Sequence, residues 1–325
     1  MRILVVGGAG YIGSVTVDQL VEGDHEVTVV DSLISGHAAA VNADAELVQA
    51  DVRDEAAMTR LFAGHSFDAV INYGGYIQAG ESVTQPGRYY ANNVGGTIAL
   101  LNAMASYGVN RFVFSSSAAV YGQPRSVPIT EDQPILPVNP YGETKATVER
   151  MLPWYEKAFG IRWVALRYFN AAGATETKGE DHRPETHLIP IVLQAALGRR
   201  DHVPLFGQDY PTADGTCVRD YVHVSDLASA HLLALDKTAS ASGAYNLGNG
   251  KGFSNRQVID ATRRVTGQEI PVTEEARRPG DPPELVASHE KAVRELGWQI
   301  FHPDLEEIID SAWRWHTSHP DGYPG

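Results

Sequence analysis

Hydrophobic positions in the first half of the chain fall in short unbroken runs. Ile3-Leu4-Val5-Val6 leads into a glycine-rich stretch and then a helical pattern over residues 14–22. A second run, Glu26-Val27-Thr28-Val29-Val30, closes on Asp31, and further β-like segments cover residues 46–49, 69–72 and 111–114. Helical patterns lie between them over residues 55–62 and 87–107. Unbroken apolar runs suit strands covered on both faces of a parallel sheet. Their alternation with helical stretches predicts a doubly wound α/β sheet.

The second half is less regular. Residues 171–185 read as a polar loop, residues 187–197 as a helix and residues 218–224 as an alternating strand. Helices are expected over 225–235, with Ser225 as N-cap, and over 254–265 and 305–315. The run Arg277-Arg278-Pro279-Gly280-Asp281-Pro282-Pro283 predicts a rigid loop, and neither an internal repeat nor a low-complexity tract interrupts the chain.

Composition narrows the class. The 325 residues are 43% hydrophobic and 20% charged, with a net charge of −14 and no basic run, so nucleic acid and anionic membrane are poor partners. A single cysteine, Cys217, excludes an internal disulfide and a cysteine-based metal centre. The histidines show no ligand pair at helical spacing, so no metal site is expected. Met1-Arg2 passes straight into an apolar strand and no apolar run approaches bilayer length, which makes a cytoplasmic location the expectation.

Five sites along the chain carry candidate chemistry. Gly7-Gly8-Ala9-Gly10-Tyr11-Ile12-Gly13 sits between a strand and a helix, where glycines allow a tight turn and close approach of a diphosphate to the helix N-terminus. Asp31, ending the second strand, suits a ribose diol and repels a 2′-phosphate, which favours NAD over NADP. Asp51-Val52 follows the third strand, as an adenine-edge contact or as a plain turn aspartate. Ser115-Ser116-Ser117 leaves the fifth strand where open α/β sheets place ligands, although Ser115 and Ser116 alone read as a polar strand exit. Finally, Asn139-Pro140-Tyr141-Gly142-Glu143-Thr144-Lys145 opens a helix running to Phe159. Tyr141 and Lys145, four residues apart, share one face, and a neighbouring cation is expected to lower the phenol's pKa toward use as a general acid/base.

These stretches, with Arg167-Tyr168-Phe169-Asn170, resemble the extended short-chain dehydrogenase/reductase family. Longer motifs resemble the branch that inverts C4 of UDP-hexoses: Gly80-Glu81-Ser82-Val83, Asn92-Asn93-Val94-x-Gly96-Thr97, Phe206-Gly207-x-Asp209-Tyr210-Pro211-Thr212, 214–224 and Ser311-Ala312-Trp313-Arg314-Trp315. The resemblance covers essentially the whole chain. It implies a seven-stranded Rossmann-type NAD-binding domain over 1–170 and a smaller C-terminal α/β lobe for the nucleotide sugar over 171–325, with some exchange of elements. It further implies NAD-dependent 4-epimerisation of a UDP-hexose, UDP-glucose or UDP-galactose, through a transient 4-keto sugar.

By the same resemblance Tyr141 is the base, Lys145 binds the nicotinamide ribose and Ser117 contacts the sugar 4-hydroxyl. NAD would be held by Gly7, Gly10, Tyr11, Ile12, Gly13, Asp31, Asp51, Val52, Tyr73, Gly74, Gly75, Asn92, Ser115, Tyr141, Lys145, Tyr168 and Phe169. The UDP-sugar would meet Ser117, Tyr141, Asn170, His187, Leu188, Phe206, Arg219, Arg278, Asp281 and Leu285. Arg219 and Arg278 can fork onto diphosphate oxygens, Phe206 offers a face to uracil and Asp281 accepts from a ribose hydroxyl.

Departures from the family pattern carry their own expectations. A lysine that helps hold the cofactor in relatives is Ile77 here, within Asn72-Tyr73-Gly74-Gly75-Tyr76-Ile77, which predicts looser retention of NAD. A frequent threonine is Ala119. The acid/base pair that dehydratases and decarboxylases need after the serine is replaced by Ala118 and Ala119, which argues against those reactions. A non-catalytic nucleotide-sugar or NAD sensor would be expected to lose Tyr141 or Lys145, and both are present. Leu285 stands where relatives carry a residue that limits the sugar pocket, so N-acetylated hexoses, a pentose or a uronic acid are alternatives. A homodimer through residues 87–107 and 140–159 is implied by the family.

Overall fold

The computed structural model describes residues 1–278 and 280–324. The first six strands are β1 Arg2–Val6, β2 Glu26–Asp31, β3 Glu46–Gln49, β4 Ala69–Asn72, β5 Arg111–Ser115 and β6 Arg162–Tyr168. Then come β7 Asn170–Ala172, β8 Val203–Phe206, β9 Val218–His223, β10 Gly243–Leu247, β11 Gly252–Ser254, β12 Val272–Glu275 and β13 Glu284–Leu285. Seven of them form one parallel sheet in the order β10-β6-β5-β4-β1-β2-β3. This is the expected doubly wound Rossmann-type sheet. The chain winds from β1 toward β3, then restarts at β4 on the other side, which opens a switch point beside β1.

Residues of one strand divide between two cores because side chains alternate across the sheet. Ile3 and Val5 pack with helices α1 (Tyr11–Glu22), α8 (Val224–Lys237) and α10 (Glu290–Leu296). Leu4 and Val6 pack with α2 (Glu55–Gly64), α5 (Gly96–Ser106) and α6 (Pro140–Phe159). Burial on both faces accounts for the unbroken apolar runs.

The second lobe carries β9 between β11 and β13, with β7 pairing β9, and a separate β8–β12 pair. Helices α7 (Leu188–Ala196), α9 (Asn255–Thr266) and α11 (Leu305–Ser318) close its core around Ile189, Val258, Ile308 and Ile309.

Several details differ from the sequence expectation. The segment expected as one helix over 87–107 is α4 (Pro86–Tyr89), a π-helical turn Tyr90–Gly95 and α5, preceded by α3 (Ala79–Thr84). Ser225 lies inside α8; the cap is His223, whose ring nitrogen accepts from the Ser225 N–H at 3.2 Å. Of the loop expected at 277–283, Pro279 falls outside the described residues. Among the described residues no helix is long and apolar enough to cross a membrane.

Candidate active site

The carboxyl ends of β1, β2, β4 and β6 open on a cavity of about 640 Å³. At its floor Gly7 takes φ +77, and a Cβ there would stand 2.8 Å from the Gly74 nitrogen. A Cβ on Gly13 would run into the Gly7 carbonyl oxygen. The first turn of α1 at Tyr11-Ile12-Gly13 leaves N–H groups without helical partners, directed where an anion is favoured. Asp31 ends β2, its carboxylate accepting from Ala9 N at 3.1 Å and Leu33 N at 2.9 Å. Burial raises the Asp31 pKa, and these two backbone donors oppose that rise. A Cβ-free cradle, a helix N-terminus and an acid at the end of β2 together fit a dinucleotide.

Asp51, Val52, Tyr73, Gly74, Gly75 and Asn92 line the same cavity. Asp51 is clasped by Arg53, whose Nε donates at 2.9 Å, and this contact holds the carboxyl below its usual range. The Tyr73 hydroxyl turns to Thr16 Oγ1 at 2.5 Å and its ring rests against His231.

The base of α6 brings in the phenol. Asn139 caps the helix, accepting from Gly142 N at 2.9 Å, and Ser82 Oγ accepts from Tyr141 N at 3.1 Å. Tyr141 lines the cavity with Ser117, Tyr168, Phe169 and Asn170, and the Ser117 hydroxyl accepts from Ala119 N at 3.2 Å. The expected lowering of the Tyr141 pKa is not present. Burial, reinforced by the Tyr168 phenol, holds it well above the ordinary value, with Ser117 acting in the opposite direction. Lys145 is itself pulled down to about 8 by burial, with Glu149 opposing the shift. Its ammonium donates to the Ser115 carbonyl at 2.7 Å, so Lys145 and Ser115 stand behind the cavity wall rather than on it.

The remaining expected substrate residues divide. Asn170 and His187 line the cavity, and Leu188 packs inward in the second lobe. Phe206, Arg219, Arg278, Asp281 and Leu285 gather elsewhere, off the cavity lining. The Phe206 face expected for uracil is covered by the Arg278 guanidinium, 3.9 Å from the ring centre. Arg219 lies 3.7 Å from the Asp281 carboxylate and donates to the Pro282 carbonyl at 3.0 Å. Leu285 pairs Arg219 across β13 and β9 and packs toward Val120, Tyr121 and Phe169.

Three positioning residues had no role assigned from sequence. Asn93 accepts from Tyr76 N at 2.8 Å and donates to Tyr76 O at 3.0 Å and Thr144 Oγ1 at 3.1 Å, fastening the loop after β4 to α6. Ser82 holds the start of α6, as described above. Glu149, buried one helical turn beyond Lys145, receives Arg167 Nε at 3.0 Å and the Ser116 hydroxyl. Asn93 and Ser82 stand inside Asn92-Asn93-Val94 and Gly80-Glu81-Ser82-Val83, so the motifs were the available signal. Glu180, His182, Glu185 and His187 also converge ahead of α7, an arrangement that helical spacing does not reveal.

Residues 3–248 match the model of the NAD dependent epimerase/dehydratase family. The UDP-glucose 4-epimerase of Halalkalibacterium halodurans is 52% identical over 327 aligned positions, covering 99% of this chain and 98% of that protein. A crystal structure of a UDP-glucose 4-epimerase superposes with TM-score 0.97 at 47% identity, covering all of both chains. That of UDP-glucose 4-epimerase from Brucella ovis in complex with NAD gives 0.93 at 46%, covering 96% of this chain and 97% of the other. With its glycine cradle, its acid at the end of β2 and its buried tyrosine over a parallel sheet, the chain belongs to the NAD-dependent epimerase/dehydratase family.

Proposed function

We propose that this protein catalyses NAD-dependent 4-epimerisation of a UDP-hexose, interconverting UDP-glucose and UDP-galactose. One observation carries the reading: a single cavity holds the Gly7–Gly13 cradle and Asp31 together with Tyr141 and Ser117. NAD⁺ held by the Gly7–Gly13 cradle and Asp31 would supply a hydride acceptor for C4 and a positive charge near the phenol. The Tyr141 oxygen takes the proton from sugar O4 and later gives it back. Ser117 hydrogen-bonds both O4 and the phenol, keeping the proton path short. Lys145, fixed beneath by the Ser115 carbonyl, adds positive charge that favours the phenolate. Inversion at C4 would require the 4-keto sugar to turn about its diphosphate link within the site. That turn requires a firm grip on the nucleotide, assigned here to Arg219 and Arg278 with Phe206 and Asp281, and a loose one on the hexose.

The other assigned cofactor contacts follow the cavity lining: Tyr11, Ile12, Asp51, Val52, Tyr73, Gly74, Gly75, Asn92, Tyr168 and Phe169. Ile77 also lines it, bringing an apolar side chain where relatives have a cation, and the nearby Arg88 and Arg183 are already paired with Glu81 and Asp181. Leu285 sets the size of the hexose site, so Leu285→Tyr is expected to lower the ratio of N-acetylated to plain hexose turnover. We also assign a homodimer through α4, α5 and α6, supported by the exposed Trp154 and Phe159 on α6, and a cytoplasmic location, where nucleotide sugars and NAD are both supplied. A monomer by light scattering would overturn the dimer.

The test of activity is anomeric-proton NMR with UDP-galactose, UDP-N-acetylgalactosamine and UDP-xylose in separate samples, with and without added NAD. Conversion of UDP-galactose is expected. Conversion without added NAD would show that the cofactor stays bound despite Ile77. No conversion of UDP-galactose under either condition overturns the proposal.

A further inference from the structure

The loop between β7 and α7 gathers four side chains that the reaction above does not require for proton or hydride transfer. His187 Nδ1 lies 2.5 Å from Glu180 Oε1 and 3.4 Å from Glu185 Oε1. His182 Nδ1 lies 3.0 Å from the same Glu180 oxygen and 3.9 Å from Glu185 Oε2. One donor atom from each of the four residues falls within 4.8 Å of the others. Both carboxylate side chains are only 5% exposed, in a chain whose other His–Glu pairs sit on the surface, His65 with Glu46 and His302 with Glu307. His182 Nδ1 is buried and, despite its distance from Glu180, makes no properly directed hydrogen bond. An imidazole nitrogen shielded from water and aimed at two carboxylates without a satisfying partner is an unusual thing for a fold to keep.

We propose that Glu180, His182, Glu185 and His187 form a binding site for a divalent transition-metal ion of the zinc class. Two imidazoles and two carboxylates make a four-donor set of the kind Zn²⁺ accepts, and the nitrogen half of the set disfavours Mg²⁺ and Ca²⁺. The donors are supplied within eight consecutive residues, 180–187, so the ion needs no contact between distant parts of the chain. Glu180, His182 and His187 also line the main cavity, which puts the ion at its wall. The Tyr11 ring stands edge-on to His182, with centroids 6.4 Å apart, and so joins the metal loop to the glycine cradle. Metal binding therefore fastens the loop where the cofactor-binding turn meets the second lobe. The surface pair of His65 with Glu46 offers one imidazole and one carboxylate and serves as an internal control.

The test uses the full-length protein with its retained NAD, dialysed against chelator and then titrated with Zn²⁺ and, separately, with Co²⁺. The expected result is uptake of about one ion per chain, a tetrahedral Co²⁺ absorption spectrum, and a rise in melting temperature with Zn²⁺. His182→Ala and Glu180→Gln should each lose the Co²⁺ spectrum and the thermal response. Glu180→Gln keeps the side-chain shape, so it decides the matter if His182→Ala does not fold by circular dichroism. No uptake by the wild type, or equal uptake by a folded variant, overturns the site.

Discussion

The Lys145 ammonium donates to the Ser115 main-chain carbonyl at 2.7 Å, fastening the first turns of α6 to the end of β5. Only 3% of Lys145 is exposed, so this charge is carried in a dry place. Burial lowers its pKa from 10.5 to about 8. Between those two values the unfolded chain holds a proton that the folded chain has released, so this group makes stability rise with pH across that window. Below the window the buried cation imposes its full cost. Lys145→Met removes that cost, and its stability relative to wild type should fall by up to about 3 kcal/mol from the lower to the upper end of the window. Urea unfolding across that pH range, at matched NAD content, measures it; a flat difference would show that the charge carries no such cost.

Tyr141→Phe removes the oxygen assigned to the O4 proton and leaves the ring that packs in the wall. Turnover should fall by about 10² to 10⁴. Melting temperature and NAD content should stay near wild type, since the Ser82 contact reaches the backbone of residue 141 and not its hydroxyl. Unchanged turnover would remove Tyr141 from the mechanism.

Arg167 and Glu149 are paired where both side chains are almost wholly buried. Arg167 also donates to the Tyr121 hydroxyl at 2.8 Å. Breaking one side leaves an uncompensated charge, so Arg167→Met should destabilise by about 3–5 kcal/mol in urea unfolding. Adding Glu149→Leu should recover part of the loss, because removing both charges ends the burial of an unpaired one. A single variant as stable as wild type would mean water reaches the pair.

Gly13→Ala places a methyl group against the Gly7 carbonyl, which is backbone and cannot move aside alone. The purified variant should carry little or no NAD, measured as nucleotide released on acid precipitation. Gly64→Ala, at the end of α2 with nothing within 4 Å of the added carbon, is the matched control and should keep its full cofactor load.

β1, β2, β4 and β5 were legible because each is covered on both faces, which leaves little choice but an apolar run; the edge strand β3 is only half-buried and keeps a two-residue apolar centre. The glycine cradle and the start of α6 were legible for local reasons, a strand-to-helix turn and a proline in the first helical turn. β10 was not. It reads Gly-Ala-Tyr-Asn-Leu, and the buried Asn246 side chain is satisfied by the distant Tyr121 hydroxyl at 2.7 Å and the Ile129 carbonyl at 2.9 Å. The cap of α8 misled because a histidine ring does what the following serine was expected to do. The Tyr141 pKa misled for a similar reason: spacing reveals a neighbouring cation but not how deeply the phenol is buried. The His–Glu loop was invisible because its convergence depends on irregular backbone, which has no period to read.

The large sheet ends in a strand that arrives late. β10 pairs with β6 from Val164 to Tyr168, yet the whole of β7, β8 and β9 lies between them in the chain. During synthesis on a ribosome, β6 emerges with one edge bare and stays so until much of the second lobe has followed. A bare, buried-type strand is a template for pairing with other chains. The nascent protein thus passes through an interval in which its nucleotide-binding half is nearly complete but still open to wrong partners, and the segment that closes it leaves the ribosome only afterwards.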